Sequence, residues 1–510
     1  MADSAVHHDA TGTGVMAPLG RLAGVLTETS LPRHNARRDQ GRPSRQYSDS
    51  DCFSMVGSGI AHTNVGTNGN YWSASASSDT NAFNWNFNSG NMNENANTKT
   101  YGFSVRLFRE GVSQPSAEEL VTDLRRAYRK ARKHKRGTGS CIRCSMEIEE
   151  ELDELARTIL DGTYAMRPSI CFLVTSPVMR EVIAADFRDR LVHHYIFDYL
   201  NPWLERELIE DCYSCREGKG TGYGVDRLEH HILSCSQNYT RETWCLQLDI
   251  SGYFMSIDRR KLYQMAMQLM ERIGRKRNEK GRRLGDLPKH RLVEQMLAKV
   301  ILYDPLENCE IRDYNGLYAK LPHSKSLRYS PEGVGLPIGN LTSQMFSNLY
   351  MNQFDQWVKR TLKVKHYGRY VDDTFYISTD KEWLKSMVQP IDACLRENLG
   401  LHLNLKKTKL TEVKKGITFL GIHIKPYRRY LKTASLERIR QHVREMERVD
   451  EGSLKSRQVQ ENLLARANSM LGLLNHTRSY GLRRKLFGSY PMYRIAYGDQ
   501  GMRKMKLKEQ

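Results

Sequence analysis

His366-Tyr367-Gly368-Arg369-Tyr370-Val371-Asp372-Asp373-Thr374-Phe375-Tyr376-Ile377 reads as two short strands with a pair of carboxylates at the turn between them. Two acids side by side at a hairpin tip repel each other, and a divalent cation is the usual counterweight. Magnesium takes a few carboxylates and completes its shell with water and substrate phosphates, so a third acid is expected elsewhere in the chain.

The upstream run Leu246-Gln247-Leu248-Asp249-Ile250-Ser251-Gly252-Tyr253-Phe254 supplies a candidate. Trp244 to Ile250 alternates like a strand, and Ser256-Ile257-Asp258-Arg259-Arg260-Lys261-Leu262 opens a helix with its acid early and its bases later. Asp249 then stands at a strand end, where it can meet the hairpin tip. Asp249, Asp372 and Asp373 would together hold two Mg²⁺ ions roughly 4 Å apart, one activating a 3′-hydroxyl and the other clamping the triphosphate of an incoming nucleotide. A lone aspartate pair is a weak signal. A Tyr-x-Asp-Asp set between apolar runs, behind an Asp-x4-Phe strand end, is far more specific than three aspartates in unrelated turns.

The chain has 510 residues, a net charge of +20 and a pI near 9.4, which suits a polyanionic partner. Residues 1–110 hold 9 basic and 9 acidic residues, so the whole surplus falls after them and nucleic-acid affinity is expected there. Dense clusters occur at Arg125-Arg126-Ala127-Tyr128-Arg129-Lys130-Ala131-Arg132-Lys133-His134-Lys135-Arg136 and at Arg275-Lys276-Arg277. The first of these reads equally as a solvated helical face or as RNA contact. No charged-then-apolar leader follows Met1 and no apolar run approaches membrane-spanning length, so a cytoplasmic location and reduced cysteines are expected. Cys141/Cys144 and Cys212/Cys215 have Cys-x-x-Cys spacing, but the pairs lie far apart without knuckle residues, which argues against zinc.

Residues 1–112 are rich in Gly, Ser, Thr and Asn, with Asn84, Asn86, Asn88, Asn91, Asn93, Asn95 and Asn97 alternating among Tyr71-Trp72, Phe83, Trp85 and Phe87. So many aromatics fit a small β-rich unit better than a linker. From Ala117 the periodicity turns helical through Leu120, Leu124 and Tyr128, and again from Met146 to Leu160. Arg180, Arg188 and Arg190 lie close together, and at least one is expected to contact phosphate; the alternative is a helix salt-bridged to Glu181, Asp186 and Asp189. Residues 262–331 read as a long basic surface insert. After 432 the spacing of Ile439, Val443, Met446, Leu463, Leu464, Ala467 and Leu471 predicts basic helices suited to a duplex backbone.

In this order, the strand-end Asp249, the Gly-rich segment at 335–344 and the Tyr-Val-Asp-Asp hairpin resemble a reverse transcriptase, from about residue 117 to 490. Gly335-Leu336-Pro337-Ile338-Gly339-Asn340-Leu341-Thr342-Ser343-Gln344 is similar to the motif of diversity-generating retroelement enzymes, where most reverse transcriptases carry Gln at the position of Ile338 and Pro at that of Gln344. Arg216-Glu217-Gly218-Lys219-Gly220-Thr221, the stretch from Ala184 to His194, Leu321-Pro322 and Lys325-Ser326-Leu327 match the same group. Val178-Met179 departs from it where a lysine is expected nearby, leaving Arg180 as the better triphosphate contact.

The resemblance implies an α+β right-hand polymerase: fingers within 113–245, a palm with an antiparallel sheet at 246–430 carrying a basic insert near 265–330, and a helical basic thumb at 431–510. It implies Asp249, Asp372 and Asp373 as catalytic metal ligands for two Mg²⁺ ions. Phe254 would exclude a 2′-hydroxyl. Arg180, Ile338, Gly339 and Gln344 would lie at the nucleotide, and one of Lys406, Lys407 and Lys409 would be a general acid to pyrophosphate. Phe419-Leu420-Gly421 would begin the primer grip. Implied partners are dNTPs, template RNA with its cDNA duplex, and a small basic accessory variability protein. Such elements rewrite a lectin-like variable protein from an adenine-rich template repeat. Tyr71 to Arg109 resembles such a repeat read as protein, so residues 1–112 are either translated template sequence, the favoured reading, or a fused lectin-like fragment. A binding module on an inactive polymerase scaffold is the rival of a different class, against which the acid triad argues. An intron- or retron-type reverse transcriptase is the nearer rival, against which Ile338 and Gln344 argue.

Overall fold

The computed structural model describes residues 68–76, 81–88, 92–98, 104–105 and 115–508, apart from 134, 176–177 and 489–491. Within the Asn-rich segment, β1 (Asn68–Ala76), β2 (Asn81–Asn88), β3 (Met92–Thr98) and β4 (Ser104–Val105) form a four-stranded sheet ordered β3-β2-β1-β4. Asn84 and Asn86 pair with Asn95 and Asn93, so the asparagine alternation falls on matched strand positions. The rest of residues 1–112 lies outside the described residues.

Helix α1 (Ala117–Ala131) starts where Ser116 Oγ accepts from Glu119 N at 3.1 Å, and it buries Leu120, Leu124, Ala127 and Tyr128. It stops at Ala131, so the basic run does not continue as one helix. Arg125 pairs with Glu149, Arg126 with Asp123 and Lys130 with Asp198, while Lys133, Lys135 and Arg136 stay exposed. α2 (Gly139–Met146) is a separate short helix, and α3 (Ile148–Leu160) is the helix that the periodicity placed from Met146 to Leu160.

β5 (Ser169–Val174) and β6 (Arg180–Ala184) pair antiparallel and lead into α4 (Phe187–Glu207), which Asp186 caps. Here the three arginines separate. Arg188 is 5% exposed and faces Glu151 and Glu154 at 3.7 and 3.8 Å, and Arg190 Nε donates to Ala185 O at 2.9 Å. Both are internal fastenings. Arg180 alone stays exposed, without an ion-pair partner among the described residues.

α5 (Thr221–Ser236) precedes β7 (Trp244–Leu248), and α6 (Arg259–Gly274) starts at Asp258, whose side chain accepts from Lys261 N. Part of the expected surface insert is interior. α6 and α7 (Pro288–Ile301) bury Leu262, Ala266, Leu269, Met270, Leu292, Val293, Met296 and Leu297 in the main core, and β8 (Cys309–Arg312) completes a sheet ordered β6-β5-β8. The many basic residues hid the helical period; the tip from Arg275 to Arg283 and the later Lys320, Lys325 and Arg328 present their charge to solvent.

α8 (Leu341–Arg360) is almost wholly buried behind β9 (His366–Tyr370) and β10 (Asp373–Ser378). After α9 (Lys381–Ser386) and α10 (Val388–Cys394), β11 (Lys409–Glu412) closes an antiparallel palm sheet ordered β11-β7-β10-β9. Gly368 in β9 has no room for a side chain, because a Cβ there would collide with Tyr213 Oη and stand 2.6 Å from Phe375 Cζ.

β12 (Ile417–Phe419), β13 (Ile422–Lys425) and β14 (Arg428–Leu431) form the next sheet. Its first turn has φ of 49° at Leu420 and 84° at Gly421, the signs of a type I′ hairpin. α11 (Thr433–Glu447), α12 (Arg457–Leu474) and α13 (Tyr480–Phe487) then pack Ile439, Val443, Met446, Leu463, Ala467 and Leu471 into a core of their own, the helical thumb. The whole is the α+β right-hand polymerase arrangement, with fingers, an antiparallel palm and a helical thumb.

Candidate active site

Strand register brings the site together. Thr374 pairs with Leu248, so the next position places Asp373 across from Asp249; Lys409 pairs with Gln247, so two positions further Lys407 comes across from Asp249 on the other side. Asp249 is therefore flanked by the acid turn and by the lysine segment at one end of the palm sheet. Asn404 N donates to Asp249 O at 2.8 Å and Ser251 N to His402 O at 2.9 Å, which holds the lysine segment against this strand end.

The lysine left open by the sequence is distinguished here. Lys407 Nζ lies 3.1 and 2.9 Å from the two carboxylate oxygens of Asp249, and this bond raises the lysine's pKa. Lys406 and Lys409 are exposed; Lys409 acts only through its field, which together with that of Lys407 lowers the pKa of Asp373. Against those lysines, burial, then Asp372 and Asp249, push Asp373 up to about 7. Asp372 is raised chiefly by burial, with Asp249 adding to the shift and Lys407 and Arg180 opposing it. Arg180 of β6 thus adds favourable charge at Asp372.

The acid turn is strained. Val371 has φ +57°, a left-handed conformation that β-branched residues rarely adopt, at a cost of about 1–3 kcal/mol. Two groups hold it. Arg369 Nη1 donates to Val371 O at 2.9 Å, and Val371 N donates to Ser214 Oγ at 3.2 Å. Arg369 is itself fully buried against fully buried Asp355 of α8, with Nη2 to Oδ2 at 2.7 Å and Nε to Oδ1 at 2.8 Å. Tyr367 Oη donates to Asp355 at 2.6 Å, and Asn348 of α8 exchanges hydrogen bonds with Ser214. Cys212 of one Cys-x-x-Cys pair sits inside this network, its sulfur accepting from Arg369 Nη2 at 3.3 Å, while Cys215 is exposed. None of these supports was singled out from sequence.

The nucleotide-side candidates divide. Phe254 is half-buried, its ring edge-on to Tyr253, and Leu336 N donates to Phe254 O at 2.8 Å, so the 335–344 loop runs beside it. Ile183 N donates to Ile338 O at 2.9 Å, and Ala185 N donates to Asn340 Oδ1 at 3.1 Å, clamping that loop to β6. Gly339, at φ +136°, allows this approach, since a Cβ would lie 3.0 Å from Ile183 O. Gln344 is exposed on the first turn of α8.

The donor set fits a hard cation: three coupled, partly accessible carboxylates with only oxygen ligands. Among the described residues no three acidic, His or Cys side chains already form a closed cage, in keeping with Lys407 holding both oxygens of Asp249. A bound cation would displace that ammonium.

Residues 287–424 match the family described as reverse transcriptase (RNA-dependent DNA polymerase). Protein YkfC of Escherichia coli K12 is 21% identical over 305 residues, covering 53% of this chain and 70% of its own. The COX1/OXI3 intron 2 protein of Saccharomyces cerevisiae is 30% identical over 91 residues, 16% of this chain and 11% of that protein. Apo telomerase from Candida tropicalis is 12% identical with a TM-score of 0.38, covering 63% of this chain and 60% of that one, so this chain spans less than two thirds of the telomerase.

Two predictions follow from the electrostatics and the strain. With a raised folded pKa, Asp373 binds a proton more tightly folded than unfolded, so metal-free stability falls as pH climbs from about 4 to about 7 and stays low above it. Asp373→Asn removes a penalty of at most about 4 kcal/mol. In thermal melts without metal it should raise Tm more at pH 8 than at pH 5. Arg369→Lys keeps a charge for Asp355 but loses the planar fork that also reaches Val371 O. Single-turnover nucleotide incorporation should slow by about tenfold or more, with Tm lowered, because partial loss of a buried pair costs up to about 3–5 kcal/mol.

The family match covers the hairpin and lysine strands of the palm but not Asp249. The sheet brings Asp249 to the same strand ends, and over the matched residues 287–424 the chain carries a reverse transcriptase domain, the domain of RNA-directed DNA polymerases.

Proposed function

We propose that the chain is an RNA-directed DNA polymerase of the diversity-generating retroelement type, copying a template-repeat RNA into cDNA with errors opposite template adenines, for rewriting a variable protein gene. The observation that carries the type is Ile338 in a clamped loop. Its main chain is fixed by Ile183 N and its neighbour Gly339 admits no side chain, so position 338 cannot shift to recover a polar contact. An apolar side chain there makes none of the hydrogen bonds a Gln would offer the nascent pair, which loosens polar checking.

Asp249, Asp372 and Asp373 are assigned to hold two Mg²⁺ ions. When bound, these supply Lewis-acid activation of the 3′-hydroxyl and charge neutralisation at the triphosphate. The chain's own residues do the rest. Arg180 approaches the phosphates from β6. Phe254 closes the space of a 2′-hydroxyl. Lys407, freed from Asp249, is the general acid placed to protonate departing pyrophosphate. Exposed bases at Lys133, Lys135, Arg136 and the tip from Arg275 to Arg283 are surfaces for nucleic acid or for an accessory protein.

An intron-type reverse transcriptase is the second reading, favoured by the similarity to the yeast intron protein. The deciding experiment sequences cDNA made by the full chain on RNA of known adenine content. Mg²⁺-dependent dNTP incorporation should occur and vanish in Asp372→Ala; incorporation that survives this change overturns the assignment of the metal ligands. Errors should concentrate opposite adenine, and Ile338→Gln should reduce them several-fold, by the roughly 1–3 kcal/mol that such pocket contacts discriminate. Errors spread evenly over the four bases would favour the intron-type reading.

A further inference from the structure

Residues 318–330 form a surface turn that the chemistry above leaves unused, and it is firmly built. Glu181, 1% exposed, gives both carboxylate oxygens to it: Ser326 Oγ donates to Oε1 at 3.0 Å and Leu327 N to Oε2 at 2.6 Å. Leu327 packs over Gly335, where any Cβ would collide with it, and Ser330 Oγ donates to Met255 O at 2.9 Å. The turn is thereby fastened to β6, to the Phe254 turn and to the 335–344 loop.

Its outer side is unlike the rest of this surface. The rings of His323 and Tyr329 stack at 3.8 Å between centroids and 17° between planes, and Tyr329 is 59% exposed. Lys320, Lys325 and Arg328 are exposed around them, and no acidic residue occurs from Tyr318 to Pro331. The active site is close on two sides. A Cβ on Gly252, just beyond Asp249, would lie 3.4 Å from Ser324 O. Glu181, the anchor, directly follows Arg180, whose charge is felt at Asp372.

An exposed aromatic stack on a turn that carries three exposed bases, with Glu332 the first acid after it, is the chemistry of single-stranded nucleic acid: bases stack on rings of any sequence, and phosphates take the cations. We propose that the His323–Tyr329 pair is a stacking platform for an unpaired base of the template strand beside the active site, with Lys320, Lys325 and Arg328 on its phosphates. This rests on the reading of the chain as a template-copying polymerase. A protein partner would not need ring faces set parallel and bare among cations, so nucleic acid is the favoured occupant.

The test measures fluorescence anisotropy of the full chain with two DNA-primed RNA duplexes without Mg²⁺, one blunt and one with a single-stranded 5′ template extension. Wild type should bind the extended substrate more tightly. Tyr329→Ala should weaken that binding by about tenfold, the worth of one stacked base, and leave blunt binding unchanged. Tyr329→Phe should bind like wild type. Equal losses on both substrates, no loss on either, or Phe behaving like Ala would each overturn the platform; no loss on either would leave the face to a protein. Because binding needs no chemistry, the two readings fail separately. Absent incorporation with the extension preference intact overturns the polymerase and keeps the platform, whereas normal incorporation with an indifferent Tyr329 overturns the platform alone.

Discussion

A buried guanidinium–carboxylate pair, Arg369 on Asp355, is the constraint on which the active site depends. Neither group is exposed, so desolvation must be offset within the protein, and the fork geometry does so with three short bonds plus the Tyr367 hydroxyl. The remaining Nη1 donor reaches Val371 O and so fixes the left-handed turn that aims Asp372 and Asp373. A turn relaxed to ordinary φ would re-aim both acids. The helix that carries Asp355 also carries Asn348, and through Ser214 the same helix fixes the amide side of that turn. α8 thus sets the position of the carboxylates from behind, without touching them.

That arrangement concentrates like charge. Asp373 is raised to about 7 by burial and by the two neighbouring acids, an unfavourable state for a protein without its cation. Lys407 relieves part of it by occupying Asp249. One ammonium thus serves as stand-in cation in the free site, its charge falling where carboxylates accumulate.

The acid hairpin, the strand end at Asp249 and the thumb helices were legible because period-2 and period-3.6 patterns survive in their sequences. The pairing of Asp249 with the hairpin followed from strand-end chemistry, and register supplied the rest. Two kinds of feature were not legible. The core helices around 262–301 are masked by charge: Leu262, Ala266, Leu269 and Ile273 keep helical spacing, but the Arg and Lys that follow at 275–283 made the stretch look like an insert. The supports of the turn, Arg369, Asp355, Ser214 and Asn348, are polar residues whose meaning lies in partners far along the chain, and no local pattern marks them.

The net charge also changes meaning once burial is known. Much of the arginine in this chain is internal fastening: Arg188 lies between Glu151 and Glu154, Arg216 on Glu205, Arg227 on Asp211, Arg259 on Asp304, and Arg429 between Asp226 and Glu229. Such pairs are neutral at a distance and do little to attract phosphate. Attraction must come from bases left over at the surface, and besides those on the thumb, such as Arg444, Arg448, Arg484 and Lys485, these include three short segments: the end of α1, the α6–α7 tip, and the ring-bearing turn at 318–330. Of these, only the last is tied by hydrogen bonds to the elements that carry Arg180 and Phe254. Charge at the first two can capture a polyanion anywhere along its length, whereas charge at the third bears on where the strand lies relative to Asp249. Surplus charge therefore supplies affinity broadly, and register only where the basic surface is rigidly joined to the carboxylates.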